Sequence, residues 1–542
     1  MNLSIKKLSC MALLVAMTMM QTSCDDILGE TDNPAPDDDV KTAITLNEAT
    51  LEMAYGIGKD VTLEATVSSA DIEDFDVTWS SSDESVATVD DEGVVHAVGA
   101  GTAVITAKAG SKKATCDVSV VVNLETPLTF EAAVDGATVK LKEVFSDVVP
   151  NVEYSLDGGI TWKDDLTAAG VTLAAAGDKI SFRGTNEAYG SEFLHDCRQF
   201  FLSAETYVYG NVMSLINKDN YPTNKTLTAG YAFMGLFNGQ NMLKNKDADH
   251  HIFLPATTLT EDCYYCMFSN CNNLTAAPEL PATVMKKECY YGMFTACKNL
   301  TTAPELPATT LAENCYDSMF SGCVNLTTAP ELPATEMKKN CYDSMFRACI
   351  NLTTAPEKLP ATTLAEGCYW GMFQSCVNLT TAPELPATEM KKKCYFAMFL
   401  ECESLTTAPE LPATMLAEGC YTSMFSLCYS LTTAPELPAT TLAVECYSEM
   451  FCHCTKLSSV TCKATDLSAK NCLVDWIDDT GTDESVTTKT FYINSAYSDY
   501  IAAMNSSLEG TANNAQINTN VPWKKGINGI PAGWTIAAAA AE

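Results

Sequence analysis

The sequence predicts a multidomain chain: two all-β sandwich modules, then a repeat solenoid of about eight or nine units with caps. Three observations predict it. At 542 residues and 47% apolar content the chain exceeds what a single core organises. Its pattern changes near residue 205, from period-two alternation broken by turn residues to a recurring phrase. That phrase, typified by CYDSMFSGC from Cys315 to Cys323, returns eight times, and self-similarity at a period of roughly 20–50 residues marks a solenoid.

Lys6 and Lys7 precede an apolar run, Met11 to Met20, followed by Gln21-Thr22-Ser23-Cys24. A short charged-then-apolar stretch reads as a secretion signal over residues 1–24, because a membrane span needs about 20 apolar residues. Small residues ending in Cys resemble the lipobox of bacterial lipoproteins. The resemblance implies acyl chains on Cys24, which becomes the mature N-terminus and ties the protein to a membrane. Residues 25–40, ending DNPAPDDD (Asp32 to Asp39), are too acidic to collapse and read as a solvated linker. Acidic residues directly after such a Cys are similar to the surface-export signal of Bacteroidetes-type lipoproteins. That likeness implies the outer membrane, with the protein exposed at the cell surface.

Residues 41–122 alternate with period two. VTLEATV (Val61 to Val67) is regular, and Val77 to Gly110 breaks into short strands at Ser-Ser-Asp, Asp-Asp-Glu-Gly and Gly-Ala-Gly turns, the mark of a β-sandwich. Trp79 is the expected core aromatic. The phrase WSSSDESVATVDDEGVVHAVGAGTAVITA resembles the bacterial Ig-like domain, group 2, which implies a spacer without catalytic residues. Residues 124–205 read as a second β module. VEYSLDGGITW (Val152 to Trp162) signals a hairpin around Asp157-Gly158-Gly159, and DKISFRGTNEAYG supplies a further strand and turn. Trp162, Tyr154 and Tyr189 are expected to pack this module, with a sugar-stacking platform as the alternative. Its one cysteine, Cys197, excludes an internal disulfide.

Residues 206–475 carry the repeat, and 476–542 are expected to cap it. The first cysteine of each unit falls at Cys263, Cys289, Cys315, Cys341, Cys368, Cys394, Cys420 and Cys446; the second falls at Cys271, Cys297, Cys323, Cys349, Cys376, Cys402, Cys428 and Cys454. The period is 26 residues, with one 27 caused by Lys358. Prolines forbid a long helix in the intervening segment. Cys315, Met319 and Cys323 at i, i+4 and i+8 predict one stripe of a short helical or 3₁₀-like turn, with both cysteines facing the core. The phrases CxxLTxAPxLPAT and CYxxMF resemble the BspA-like class of bacterial leucine-rich repeats. The resemblance implies a curved leucine-rich-repeat solenoid used in adhesion or ligand display.

The paired thiols are expected to be structural. On a helical turn, cysteines eight apart lie roughly 12 Å from each other, beyond disulfide reach. Between units, equivalent side chains stack about 4.8 Å apart and parallel, too far at Cβ for an unstrained bridge. Zinc needs four converging ligands, which a single-file ladder does not offer. AFMGLFNGQNML (Ala232 to Leu243) reads as a degenerate opening unit with Ala232 and Gln240 in the two cysteine places. An Ala in the first place fits a small buried filler. Cys452-His453-Cys454, with Cys462 and Cys472 nearby, leaves a bridge or a metal site open there, and Cys266 is a similar stray. The expectation for metal, cofactors and catalytic residues is none. The five histidines, His96, His195, His250, His251 and His453, lie in no known nucleophile, metalloprotease or phosphate-loop motif.

Stacking turns repeated residues into rows. Glu279, Glu305, Glu331, Glu357, Glu384, Glu410 and Glu436 hold one place in seven units and form the candidate binding ribbon, beside rows of Thr-Thr. Like charges roughly 5 Å apart repel unless solvated or neutralised, so the row is either a wet edge or a face for cations or a basic ligand. Lys pairs (Lys286-Lys287, Lys338-Lys339, Lys391-Lys392) alternate with Glu313, Glu366 and Glu418 in successive units. A formal net charge of -35 excludes nucleic acid as a partner. The chain is expected to be a monomeric, non-enzymatic surface adhesin or binding protein with a protein or glycan ligand; the alternative is a glycan-binding lipoprotein of a nutrient-uptake system.

Overall fold

The computed structural model describes residues 43–540, apart from 56–59, 69–75, 100, 123, 193–196, 248–249, 507–522, 524–529 and 532. The expected signal peptide, Cys24, the acidic linker and His195 lie outside the described residues. No helix among the described residues is long and apolar enough to cross a membrane.

The N-terminal domain comprises β1 (Ala43–Leu46), β2 (Thr50–Tyr55), β3 (Val61–Thr62), β4 (Ala65–Ser68), β5 (Thr78–Ser81), β6 (Ala87–Val89), β7 (Val94–Ala97), β8 (Gly101–Ala109) and β9 (Lys112–Val122). One sheet runs β2-β9-β8-β5, a second β3-β7-β6, and β1 pairs with β4. Alternation does what period two dictates: Ala103, Ile105, Ala107 and Ala109 of β8 point inward between more exposed neighbours. Gly110, at φ 59, makes the tight turn between β8 and β9. Trp79 is half-buried and packs against this core.

The second module comprises β10 (Leu128–Ala132), β11 (Ala137–Glu143), β12 (Val152–Ser155), β13 (Val171–Leu173), β14 (Lys179–Gly184), β15 (Arg198–Leu202) and β16 (Thr206–Asn211). It is not separate from the repeats. β16 pairs antiparallel with β10 on one side, and in parallel with β17 (Leu243–Lys244) and β18 (Ile252–Phe253) on the other. One continuous core runs from Leu128 to Ile536. The expected boundary at 205 therefore falls immediately before a strand that joins module to stack, and the module closes the first open face of the repeats. Tyr189, fully buried, and Tyr154 belong to the same core, while Trp162 is half-buried under the Arg183 guanidinium, 4.1 Å from its ring. The three rings form no shared platform.

Successive units then stack in parallel. Isolated bridges join Ala276 to Thr302, Thr328 to Thr354 and Thr407 to Thr433 on one edge, and Val284 to Thr310 and Glu389 to Met415 on another. The cysteine segment is not a helical turn. Tyr264, Cys266, Phe268 and Asn270 donate their N–H groups to carbonyls of the next unit, at 2.7–3.0 Å, while Met267 and Cys271 donate three residues back. Every fourth residue sits at positive φ: Asp262 (54), Cys266 (49) and Asn270 (61), then Glu288, Gly292 and Ala296, and onward. Bonds that would close a helix at i−4 are spent between units instead. The chain makes linked turns, and the i, i+4, i+8 stripe survives because turns of four residues share that spacing.

Two aromatic columns thread the core. Phe268, Phe294, Phe320 and Phe346 lie 5.6 Å apart at interplanar angles of 4–7°. The column begins inside the second module, where Phe200 stacks on Phe237 and Phe237 on Phe268. The tyrosine column runs from Tyr264 to Tyr447 and ends on Trp476, 6.3 Å away. The repeat does not stop at Cys472, because Trp476 and Thr480 occupy the Met and second-Cys places of another unit. The expected boundary at 475/476 thus divides that unit. At this end of the stack β19 (Glu436–Leu437), β20 (Ser459–Cys462), β21 (Thr490–Ile493) and β22 (Thr535–Ala538) form a parallel sheet that spans the boundary, with α1 (Ile501–Ser506) alongside. Trp523, Trp534 and Trp476 cover the last open core.

Candidate binding surface

The sixteen paired cysteines are all buried and all free. The two ladders differ, however. Each second-place thiol donates to the carbonyl of the phenylalanine one unit back: Cys271 to Phe237, Cys297 to Phe268, Cys323 to Phe294, and so on to Cys454 and Phe425, at 3.0–3.1 Å. The same carbonyl accepts a backbone N–H within its own unit, so both lone pairs are used. In the final unit Thr480 makes this bond with its hydroxyl, at 2.8 Å to Phe451. First-place thiols have only looser contacts, such as 3.9 Å from Cys263 to the Cys289 carbonyl and 3.7 Å from Cys289 to the Met285 sulfur. Ala232 fills that place in the opening unit, 1% exposed. The first ladder packs as small buried side chains with loose contacts; the second is a hydrogen-bond ladder, which the sequence reading did not foresee. Thr480 was the available signal.

Burial pushes these thiols up, Cys297 and Cys428 to about 12, so the reactive thiolate is scarce at neutral pH. Cys452 and Cys462 are buried and free, and Cys266 is half-buried and free. His453 pairs with Asp479, its Nδ1 3.1 Å from the carboxylate. Among the described residues no group of three or more His, Cys, Asp or Glu is placed to hold a metal ion.

The ribbon glutamates are all exposed. Their row is interrupted. Lys358, not Glu357, is bridged to Glu384, and Leu359 takes the buried place that follows. The inserted residue puts an ammonium into the acidic row, 3.8 Å from Glu384, with Glu357 displaced beside it. At the far end Lys463 lies 2.8 Å from Glu436. Between Thr301-Thr302 and Thr327-Thr328 the ribbon forms a groove of about 460 Å³, walled by Glu305, Glu331, Pro307 and Pro333. A second hollow of about 280 Å³ lies where Leu124, His251 and Phe253 meet Pro278, Glu279 and Pro281. Among the described residues the alternating charges form an ion pair at one place, where Lys392 is 3.0 Å from Glu418 of the next unit and also feels Glu366 of the one before; Lys287 and Lys391 pair instead with Glu288 and Glu389 of their own units. Exposed pairs of this kind add little stability.

Sequence reasoning passed over one column, the residue two places after the first cysteine. It reads Tyr265, Tyr291, Asp317, Asp343, Trp370 and Phe396 in the first six units, then Thr422 and Ser448. Tyr265 and Tyr291 stack 4.6 Å apart at 3°, and Trp370 and Phe396 lie 4.8 Å apart. Burial raises Asp317 to about 7 and Asp343 to about 6, and burial followed by Glu288 raises Asp262 to about 6.

Comparison with known proteins bears on part of the chain. Over 153 residues, 27% of this chain, it is 38% identical to a protein described as an alpha-L-arabinofuranosidase from Bifidobacterium longum subsp. longum, and the chain spans 13% of that relative's length. A solved structure of surface layer protein SbsC, domains 1–6, aligns with 25% of this chain and 26% of its own, at 16% identity and a TM-score of 0.14. Residues 41–118 match the model of the bacterial Ig-like domain (group 2). With its paired sheets and period-two burial, the N-terminal β domain is therefore a bacterial Ig-like domain of group 2.

Proposed function

We propose that the protein is a lipid-anchored surface adhesin or binding protein, and that the stacked units are a leucine-rich-repeat solenoid of the BspA-like class. In this reading Cys24 carries the lipid, the Ig-like domain is a spacer, and the stack presents the ligand surface at the outer face of the outer membrane. The observation that supports it is the groove on the ribbon, where exposed Thr and Glu residues recur at the same place in consecutive units. A surface with a fixed repeat suits an extended ligand that repeats too, protein or glycan.

Binding of the full-length protein to an array of extracellular-matrix proteins and linear glycans tests the reading, with the variant E305Q/E331Q alongside. Retention of a ligand that the variant loses is the expected result. Retention of glycans alone moves the assignment to glycan capture for nutrient uptake. No retention, or retention indifferent to the ribbon, contradicts the proposal.

A further inference from the structure

The units keep their buried residues and diverge at four places of the cysteine segment, two, three, six and seven residues after the first cysteine. Cysteine, tyrosine, methionine and phenylalanine recur in the buried places of the cysteine segment, while the half-buried residue two after the first cysteine changes from Tyr to Asp to Trp or Phe to Thr. The backbone does not demand this. Tyr291, Trp370 and Thr422 occupy the same place as Asp317 and Asp343 on the same turn, so an aspartate there is not required for folding.

It is also unfavourable. Half-buried carboxylates need a cation or strong donors. Asp317 receives the Ser318 hydroxyl, at 2.7 Å, and its charged neighbours are Asp343 and Glu288; Asp343 receives the Ser344 hydroxyl at 2.8 Å and has the Arg347 guanidinium near enough to favour its ionised form without pairing with it. No ion pair among the described residues reaches either carboxylate. Groups that break a local rule without structural need are candidates for recognition.

The same strip shows what it attracts. Two units further on, the Lys393 ammonium sits 4.9 Å from the Trp370 ring and 5.4 Å from the Phe396 ring, a cation–π contact supplied from within the chain. Tyr265 and Tyr291 form the matching aromatic pair on the other side of the aspartates, with Asp262 and Glu288 beside them, Glu288 paired with Lys287 at 3.4 Å, and no lysine or arginine over their rings among the described residues. The tyrosine rings cover one face of each other, which disfavours a stacked sugar. Among the described residues no three carboxylates converge as metal ligands.

We propose that this column is a docking strip for an extended, basic polypeptide segment of a partner protein, its lysine or arginine side chains seated on the Asp317–Asp343 pair and the Tyr265–Tyr291 pair. The strip is separate from the ribbon and stands or falls independently of it. Its occupant is identified by charge complementarity: an acidic centre between two aromatic pairs, one of which already holds an ammonium group.

Fluorescence anisotropy of twelve-residue peptides with the full-length protein tests this. The peptides alternate Lys and Thr, Gln and Thr, or Glu and Thr, and cellohexaose serves as competitor. The Lys peptide is expected to bind and the other two not. D317N/D343N weakens it at least tenfold, while E305Q/E331Q, the matching carboxylate-to-amide change on the ribbon, changes it less than twofold. D317T/D343S, which copies the residues at Thr422 and Ser448, gives the same loss in a background already present in this fold. Equal weakening by the aspartate and glutamate variants, indifference to the aspartate variants, displacement by cellohexaose, or no binding of the Lys peptide each overturns the proposal.

Discussion

The thiol of Cys297 donates to the carbonyl oxygen of Phe268, one unit back and 3.0 Å away. That carbonyl already accepts the N–H of Cys271. The cysteine is thus a coupling between units, joining the interior of one turn segment to the next at a point water does not reach. Thr480 does the same at the end of the stack with a better donor.

The two ladders should therefore respond differently to truncation. Cys323→Ala removes the bond to Phe294 and leaves a small void, and is expected to cost about 2 kcal/mol. Cys315→Ala, in the ladder where Ala232 already serves, is expected to cost about 1 kcal/mol. Cys323→Thr, copying Thr480, should recover part of the loss. Urea midpoints of the three variants check the order. Equal losses at both cysteines remove the distinction between the ladders.

Thr480→Ala is the same experiment at the stack's end. It leaves the Phe451 carbonyl without its hydroxyl donor and should cost about 1–2 kcal/mol, whereas Thr480→Cys restores the ladder residue and should cost less. Hydrogen exchange at the Phe451 and Trp476 amides provides the local readout.

Thiol titration follows from burial. The paired cysteines are buried and hold their protons well above neutral pH, with Cys297 and Cys428 at about 12. Under anaerobic conditions the folded protein should react with few equivalents of a thiol reagent, and the unfolded protein with nearly all. Fast reaction of the folded chain contradicts the packing described for the ladders.

The aspartate pair makes a prediction about pH. Asp317 and Asp343 titrate higher folded than unfolded, about 7 and about 6 against a usual 3.8. The folded state therefore holds more protons between roughly pH 4 and pH 7, and this contribution to stability is present below that window and lost as pH rises through it. The fall in thermal midpoint over the window should be smaller in D317N/D343N. An equal fall in both proteins places the titration elsewhere.

Lipid attachment is tested at Cys24. Cys24→Ser should abolish incorporation of labelled palmitate and shift the protein from the membrane fraction to the soluble fraction. Unchanged partitioning contradicts the anchor.

Much of this was legible in the sequence for physical reasons, and the remainder was hidden for others. The Ig-like domain announced itself through alternation, as at Ala103, Ile105 and Ala107, because one-sided burial forces period two. The cysteine ladders were legible because a residue repeated every 26 places in a stack has a copy of itself for a neighbour; the tyrosine and phenylalanine columns follow from the same repeat and were not drawn from it. The turn geometry was misread as helical because four-residue turns and helices share the i, i+4 spacing. What separates them is the left-handed residue at every fourth place, held by Asn314, Gly322, Gly367 and Gly371 among others. The joining of the second module to the stack depends on parallel pairing of β16 with β17 and β18, a long-range contact between short strands that leaves little local trace. The displaced Glu357 shows the limit of reading rows by letter: one inserted residue changed which side chain stood in the row.

Raman spectroscopy of the S–H stretch tests the coupling between units most directly. Two populations of protonated thiol are expected, one shifted to lower frequency by the bond to a carbonyl and one not. Replacing second-place cysteines with alanine should deplete the shifted band, and replacing first-place cysteines should deplete the other. A single band, depletion of the same band by both sets of variants, or an S–S signal in place of S–H contradicts the account.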